Sequence, residues 1–399
     1  MGPAPVTGER SRLRLLQLST FTSNCDRFAI APLLVAIGID LNVPLAAAAA
    51  VASGYFLAYG LMQPVWGIVS DRIGRVRVMR VALLGAALAG VVSAFAPNIV
   101  VLGISRVIAG ACFAAIVPST LVYVGDMWPA ATRQQPVSEI LTASALGIAI
   151  ATIGAGFIAD LVGWRAVPAV TAAAAAGLWV ALARLPEPDR EPVTGTPVRS
   201  IGRVLRSRWG PLVLLVVLVE GSVVLGVLTY LAPAAQSLGF SAGIAGLVAG
   251  AFGVGALAFS RAVRALVPRI PPAGMAAIGG TCLVVAWAVP AIVMNVATLA
   301  VAGMLVGASW AFLHTTLQTW ATDMVPGERA TAVALFAACL FLGSALGAAG
   351  AAPLAEAGRY PTLFAASALV AVPVAIVATV GRRRYGRAAS SEAGPSEAG

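Results

Sequence analysis

Five ionisable residues stand inside long apolar runs of this chain: Asp26, Arg27, Arg106, Glu220 and His314. A sixth, Glu139, lies near the end of another run. A charge at the middle of a bilayer costs at least about 2.5 kcal/mol unless it is paired or solvated, so each is a functional candidate. Low dielectric penalises a carboxylate such as Asp26, whereas a nearby guanidinium stabilises it. A group held between those two pressures can load and release a proton. Asp26 is the first choice of proton carrier, with Arg106 as its partner and Glu220 as the second site. The competing reading makes Asp26 and Arg27 a structural pair, or places Asp26 in a permanent salt bridge with Arg106 and Glu220. Neighbouring residues on a helix point about 100° apart, so Arg27 does not share the direction of Asp26, and Glu139 is its candidate partner.

His314 is the only histidine and titrates near neutrality. It serves either as a hydrogen-bonded packing residue or as a substrate contact. No Cys or carboxylate shares its helix face at ligand spacing, so no metal is expected. Phe28, Tyr123, Tyr230, Trp310 and Gln318 could grip an apolar or aromatic substrate, and Arg27, Arg106 and His314 could offer cationic contacts to a carboxylate. Tyr55, Tyr59 and Gln63 form a further stripe at helical spacing. Ordinary helix packing is the alternative for each of these aromatic and amide residues.

The elements that position these residues follow from composition. Of 399 residues, 59% are hydrophobic and 11% charged, with a mean hydropathy of +0.92. A soluble domain is about 25% charged, which excludes a soluble enzyme. All 26 basic residues are Arg. Without Lys there is no Walker A phosphate lysine and no lysine Schiff base, so active transport must draw on an ion gradient or on a separate ATPase. No cofactor is expected beyond a proton gradient as energy source. Cys25, Cys112, Cys282 and Cys339 fall in apolar stretches and read as small buried residues, not as disulfides.

Apolar segments bounded by Arg clusters, Pro, Gly or Asn predict twelve helices, over 16–39, 46–69, 78–96, 99–123, 136–159, 166–185, 211–235, 241–262, 273–293, 298–320, 330–355 and 360–381. The first is read as an uncleaved span and not a signal peptide, because Asp26 and Arg27 interrupt it. Twenty-two of the 26 arginines fall on one side and two on the other, which places both termini in the cytoplasm. That clustering is topological and argues against a nucleic-acid partner. The expected organisation is a cytoplasmic N-terminus (1–15), a six-helix bundle (16–185), a cytoplasmic linker with a short interfacial helix (186–210), a second six-helix bundle (211–381) and a disordered cytoplasmic tail (382–399). Glu187 belongs to the flexible first half of the linker; Ile201, Val204 and Leu205 form the apolar stripe of the helix in its second half. Asp71 is placed to cap the start of the third span. A repeat supports the division: Asp126 and Asp323 stand 197 residues apart, each followed by a Pro and an Arg. Two parallel six-helix halves typify duplicated secondary transporters.

The segment Gly67, Ser70, Asp71, Arg72, Gly74, Arg75 and Arg77 after span 2 resembles the loop signature of the major facilitator superfamily, with Val76 at a position the family gives to a basic residue. Arg106 and Gly110 are similar to that family's span-4 motif. Gly147, Gly154 and Gly156 are similar to its glycine-rich antiporter motif, with Ala155-Gly156 where the family has Gly-Pro. The second-half copy of the loop signature, around Ser260, Arg261 and Arg264, lacks its acid. The resemblance implies an all-α integral membrane fold of twelve helices in two pseudo-symmetric halves, closest to the twelve-span drug:proton antiporters. In that family spans 1, 4, 7 and 10 line the central cavity, and all five embedded ionisable residues fall on those four spans. The resemblance further implies proton-coupled efflux of small amphipathic compounds, with uptake of a small organic anion or nutrient as the alternative and a transporter-like sensor as a remote one. It implies a monomer in the plasma membrane, against an anionic inner leaflet. Gly67, Asp71, Arg72, Gly74, Arg75, Asp126 and Arg133 would form an inner gating network that latches to the neighbouring half. Arg75→Ala should therefore insert into the membrane as the wild type does yet lose transport; full flux through that variant, measured in vesicles, would sink the gating role.

Overall fold

A computed structural model describes residues 7–129, 131–188 and 197–392, and every regular element among them is helical. Eleven of the described helices are long and apolar enough to cross a bilayer. The remaining span, the first, is divided into α1 (Thr7–Phe28) and α2 (Leu34–Asp40) by a 3-10 turn at Ala31–Leu33. Pro32 supplies the break, because it has no N–H to donate to the preceding turn. Spans 2 and 3 are α3 (Leu45–Ile73) and α4 (Arg75–Ala94); span 4 is α5 (Ile99–Phe113) with α6 (Ile116–Met127). Spans 5 and 6 are α7 (Gln134–Leu161) and α8 (Ala166–Ala181), and the linker holds α9 (Pro197–Arg206). Span 7 is α10 (Gly210–Gly221) and α11 (Leu231–Ser237), followed by α12 (Ala242–Leu266) and α13 (Pro272–Ile292). Span 10 is α14 (Val296–Ser309) and α15 (Thr315–Asp323), and α16 (Arg329–Glu356) and α17 (Tyr360–Glu392) complete the second half.

The repeat is carried into local structure. Asn98 and Asn295, 197 residues apart, each accept from the backbone three residues on and cap spans 4 and 10. The helices α2 and α11 are offset by the same 197 residues. Spans 1, 4, 7 and 10 are the ones broken midway: by the 3-10 turn, by a break at 114–115, and by π-turns at Ser222–Gly226 and Trp310–His314. A π-turn leaves backbone groups free of the regular ladder and recurs at functional sites. The ionisable residues predicted from sequence sit on these interrupted helices.

The halves meet where span 2 packs on span 11 and span 5 on span 8. Phe341 of span 11 lies against Tyr59 and Phe56 of span 2, with ring centroids 4.7 and 6.4 Å apart. Within the second half, spans 7 and 11 touch backbone to backbone: a Cβ on Gly343 would collide with the carbonyl of Leu218. With little hydrophobic drive between helices in lipid, close approach of this kind supplies the packing energy.

Three expectations need correction. Asp71 does not cap span 3, since it lies in the last turn of α3; the cap is Glu187, whose carboxylate accepts from the backbone N–H groups of Val76 and Arg77 at 3.1 and 3.2 Å. Gly74 makes room for it with a φ of 108°, a conformation that L side chains rarely adopt. The linker thus docks at Glu187, and residues 189–196 lie outside the described residues. The segment beyond 382, expected to be disordered, continues α17 as helix to Glu392, and the N-terminal segment is helical from Thr7. In α9, Val204 is buried against Leu214 and Ala332 instead of lying on the membrane face.

Gly343→Val would drive a side chain into backbone that cannot give way. It should cost about 1–3 kcal/mol, as overpacking typically does, whereas Gly350→Ala, with open space at that position, should cost almost nothing. Thermal unfolding in detergent compares the two, and equal melting temperatures would contradict the contact.

Candidate functional site

Asp26 is 5% exposed, and its Oδ1 accepts from Arg106 Nη1 at 2.9 Å and from Thr171 Oγ1 at 2.8 Å. Arg106 also donates from Nε to Ser93 at 2.8 Å, and Ser93 bonds Ser105. The pair is therefore held by hydroxyls from spans 3, 4 and 6. Asp26 Oδ2, Arg106 Nη2 and the Tyr55 hydroxyl are buried with no partner among the described residues. All three side chains line one small recess inside the first half, with room for about one water molecule, bordered by Val51, Leu102 and Trp164. A buried polar atom without a partner is costly, and three facing one recess make it a place for water or a proton to enter.

Arg27 turns the other way. Its guanidinium lies 4.8 Å from the ring centroids of Phe28 and Tyr59 and 5.2 Å from that of Phe341, so it bridges the two halves. It donates to Asn24 and forms no ion pair with a carboxylate among the described residues. The expected Arg27–Glu139 pair does not form: Glu139 accepts from Gln17 and Gln135, each at 3.0 Å, because it sits three turns nearer the inner surface. Arg27 instead borders a second small recess, with Phe28, Phe56, Thr152, Leu225 and Thr229.

Glu220 is fully buried and faces His314, Oε2 to Nδ1 at 3.3 Å, while Oε1 has no partner. It therefore does not join the Asp26–Arg106 pair. The His314 ring stacks on Trp310 with centroids 3.7 Å apart, a contact set up by the π-turn that carries both. Trp310 touches Phe252, which touches Phe28, both at 6.0 Å, so aromatic rings run from the Glu220–His314 pair to the Arg27 side.

Several expected substrate contacts lie elsewhere. Tyr230 is buried and donates to the Ala348 carbonyl, joining spans 7 and 11. Tyr123 donates to the Pro186 carbonyl at 3.1 Å and anchors the linker. Gln318 is exposed on α15. Their types suited binding; only tertiary packing shows that other partners use them.

At the inner face, Arg75 pairs with Asp71 at 2.5 Å and Asp126 at 3.2 Å. The ion pairs of Arg75 tie α3, α4 and α6 within the first half. Arg72 and Arg133 are exposed, and Arg133 joins no ion pair among the described residues. Gly67 is exposed with open space around it. Asp323, the counterpart of Asp126, pairs with Arg382 at 3.7 Å. At the outer mouth, hydrogen bonds from Arg165 and Trp164 hold the Asp40 carboxyl below the usual carboxylate range. Thr171 and Ser93, which hold the central pair, were not singled out from sequence, because a lone hydroxyl in an apolar helix usually bonds its own backbone.

The family model of the Major Facilitator Superfamily matches residues 16–348 and 235–397. A triacylglyceride transporter of Mycolicibacterium hassiacum is 33% identical over 167 residues, 40% of this chain and 31% of its own length. Two further mycobacterial triacylglyceride transporters are matched over 24% and 23% of their lengths, so the chain spans under a third of these relatives. The uncharacterized MFS-type transporter YfhI of Bacillus subtilis is 26% identical over 361 residues, 89% of this chain and 90% of that protein. Among solved structures, the nucleoside transporter NupG aligns with a TM-score of 0.74 at 16% identity, over 94% of this chain and 99% of that one, which is a likeness of fold.

Arg106→Gln strands the Asp26 charge and should lower stability by about 3 kcal/mol or more, as breaking a buried pair does. Adding Asp26→Asn should recover most of that loss. Unfolding of the two single variants and the double variant in detergent measures the coupling, and strictly additive costs would show that the pair is not coupled.

Proposed function

The chain belongs to the major facilitator superfamily, and on that premise we propose that it is a secondary transporter that exports small amphipathic or hydrophobic compounds in exchange for protons. The observation that carries this reading is the Asp26 carboxylate, with one oxygen held by Arg106 and Thr171 and the other free toward the recess. A proton arriving at Oδ2 removes the charge that holds Arg106, so the pair that ties span 1 to span 4 loosens on loading and tightens on release. Such a change biases the halves between their two arrangements. Glu220 and His314 form a second acid site, with Glu220 Oε1 left free for a proton.

The substrate enters between the halves, against Arg27, Phe28, Tyr59, Trp310 and His314. The apolar wall suits a hydrophobic body, and the triacylglyceride transporter relative is consistent with that chemistry. One feature favours a second reading: among the described residues Arg27 has rings around it and no carboxylate paired with it, so an acidic group on the substrate would find a counter-charge there. Uptake of a small organic anion would use the same residue. The glycine-rich fifth span and the loop signature support export. The protein works as a monomer in the plasma membrane, with its inner arginines against anionic lipid.

Flux in reconstituted vesicles with an imposed pH gradient tests the proposal. Efflux should be driven by the gradient and accompanied by counter-moving protons, and Asp26→Asn should abolish the coupled movement while leaving the protein folded. Substrate accumulation in the same direction as the protons would establish the uptake reading instead.

A further inference from the structure

Two acids at the outer ends of the spans make the same contact in opposite directions. Asp160, in the last turn of α7, accepts from the backbone N–H of Ala242 (Oδ1, 3.1 Å) and of Gly243 (Oδ2, 2.8 Å), the first residues of α12. Glu356, the last residue of α16, accepts from the backbone N–H of Ala46 at 2.7 Å, the second residue of α3. In the first case an acid of the first half caps a helix of the second, and in the other the reverse holds. The acids stand 196 residues apart, and so do Ala46 and Ala242, so the repeat relates the two contacts.

The first N–H groups of a helix have no partner within it and carry the positive end of the helix dipole. Each acid, by contrast, sits at the negative end of its own helix, where a carboxylate is disfavoured. Among the described residues, the hydrogen bonds of both acids all cross to the other half, so they form when the outer rims of the halves touch. Ser241 caps α12 locally through Ile244, leaving Ala242 and Gly243 for Asp160. A third contact crosses at the same face, from Gln236 Nε2 to the Pro32 carbonyl at 2.9 Å. At the inner face, by contrast, the ion pairs of Arg75 among the described residues both lie within the first half.

We propose that Asp160 and Glu356 are a symmetric latch that holds the outer gate shut, and that the outward-opening step breaks both caps together. Asp160 accepts two such bonds and Glu356 one; each cap alone should bias the closed state by about two- to fivefold and the pair by the product of the two.

The test uses the full chain in lipid nanodiscs, with spin labels at Phe95→Cys and Ile292→Cys on the outer rims of the two halves and the four native cysteines changed to alanine. Phe95 and Ile292 are exposed and distant from both caps in sequence. Asp160→Ala and Glu356→Ala should each add a longer-distance population, and the double variant should show the largest. Asp40→Ala, which removes an outer acid paired only within its own half, should leave the distances unchanged. Asp160→Asn, which keeps an acceptor for the same N–H groups, should restore much of the closed population. An unchanged distribution in the double variant would overturn the latch, as would an equal shift from Asp40→Ala. The readout needs no substrate and no proton gradient, so it stands or falls apart from the transport reaction.

Discussion

A bilayer offers no water to polar groups, and that single constraint organises this molecule. Each embedded charge must find its partner inside the helix bundle, and each backbone N–H and C=O must be satisfied by its own helix or a close neighbour. Asp26 and Arg106 meet the first demand with hydroxyls from Thr171 and Ser93, and Glu220 meets it with His314. The same constraint makes incompleteness informative. Asp26 Oδ2 and Glu220 Oε1 are left without partners in places where a partner is expensive to lack.

The interrupted helices follow from the same balance. Regular helices would satisfy every backbone group but hold the chain rigid. Spans 1, 4, 7 and 10 give up regularity midway, at Pro32, at 114–115 and at two π-turns. Spans 2, 5, 8 and 11 are continuous and carry the contacts between halves. The division suits a molecule in which rigid outer elements rock while inner ones adjust around a site. Arg27 sits where these roles meet, on an interrupted span yet touching Phe341 of the opposite half.

Much of this was readable in the residues alone. Arginine placement decided orientation, because a guanidinium cannot cross lipid cheaply, and the all-helical architecture follows from the apolar runs. Asp26, Arg106, Glu220 and His314 were also legible as candidates, since ionisable groups are conspicuous in an apolar setting. Their pairing was legible only in part. The Asp26–Arg106 pair could be anticipated from opposite charge, but nothing in spacing links Glu220 to His314, 94 residues apart. Roles assigned to Tyr123 and Tyr230 by residue type gave way to backbone carbonyls that happened to lie nearer.

Period, hydropathy and charge sign act along the chain, so the sequence by itself determined the spans, the two halves and the short roll of embedded ionisable groups, and its arginines set the expected orientation. Direction and distance between helices act across the chain, and those only the tertiary structure decided. It turned Arg27 away from Glu139 toward three rings, replaced Asp71 by Glu187 at the start of span 3, and carried Asp160 and Glu356 to helix ends of the opposite half. A helical residue's partner depends on how neighbouring helices are rotated and how deep they sit. One residue of rotation moves a side chain by about 100°, and composition is blind to that angle.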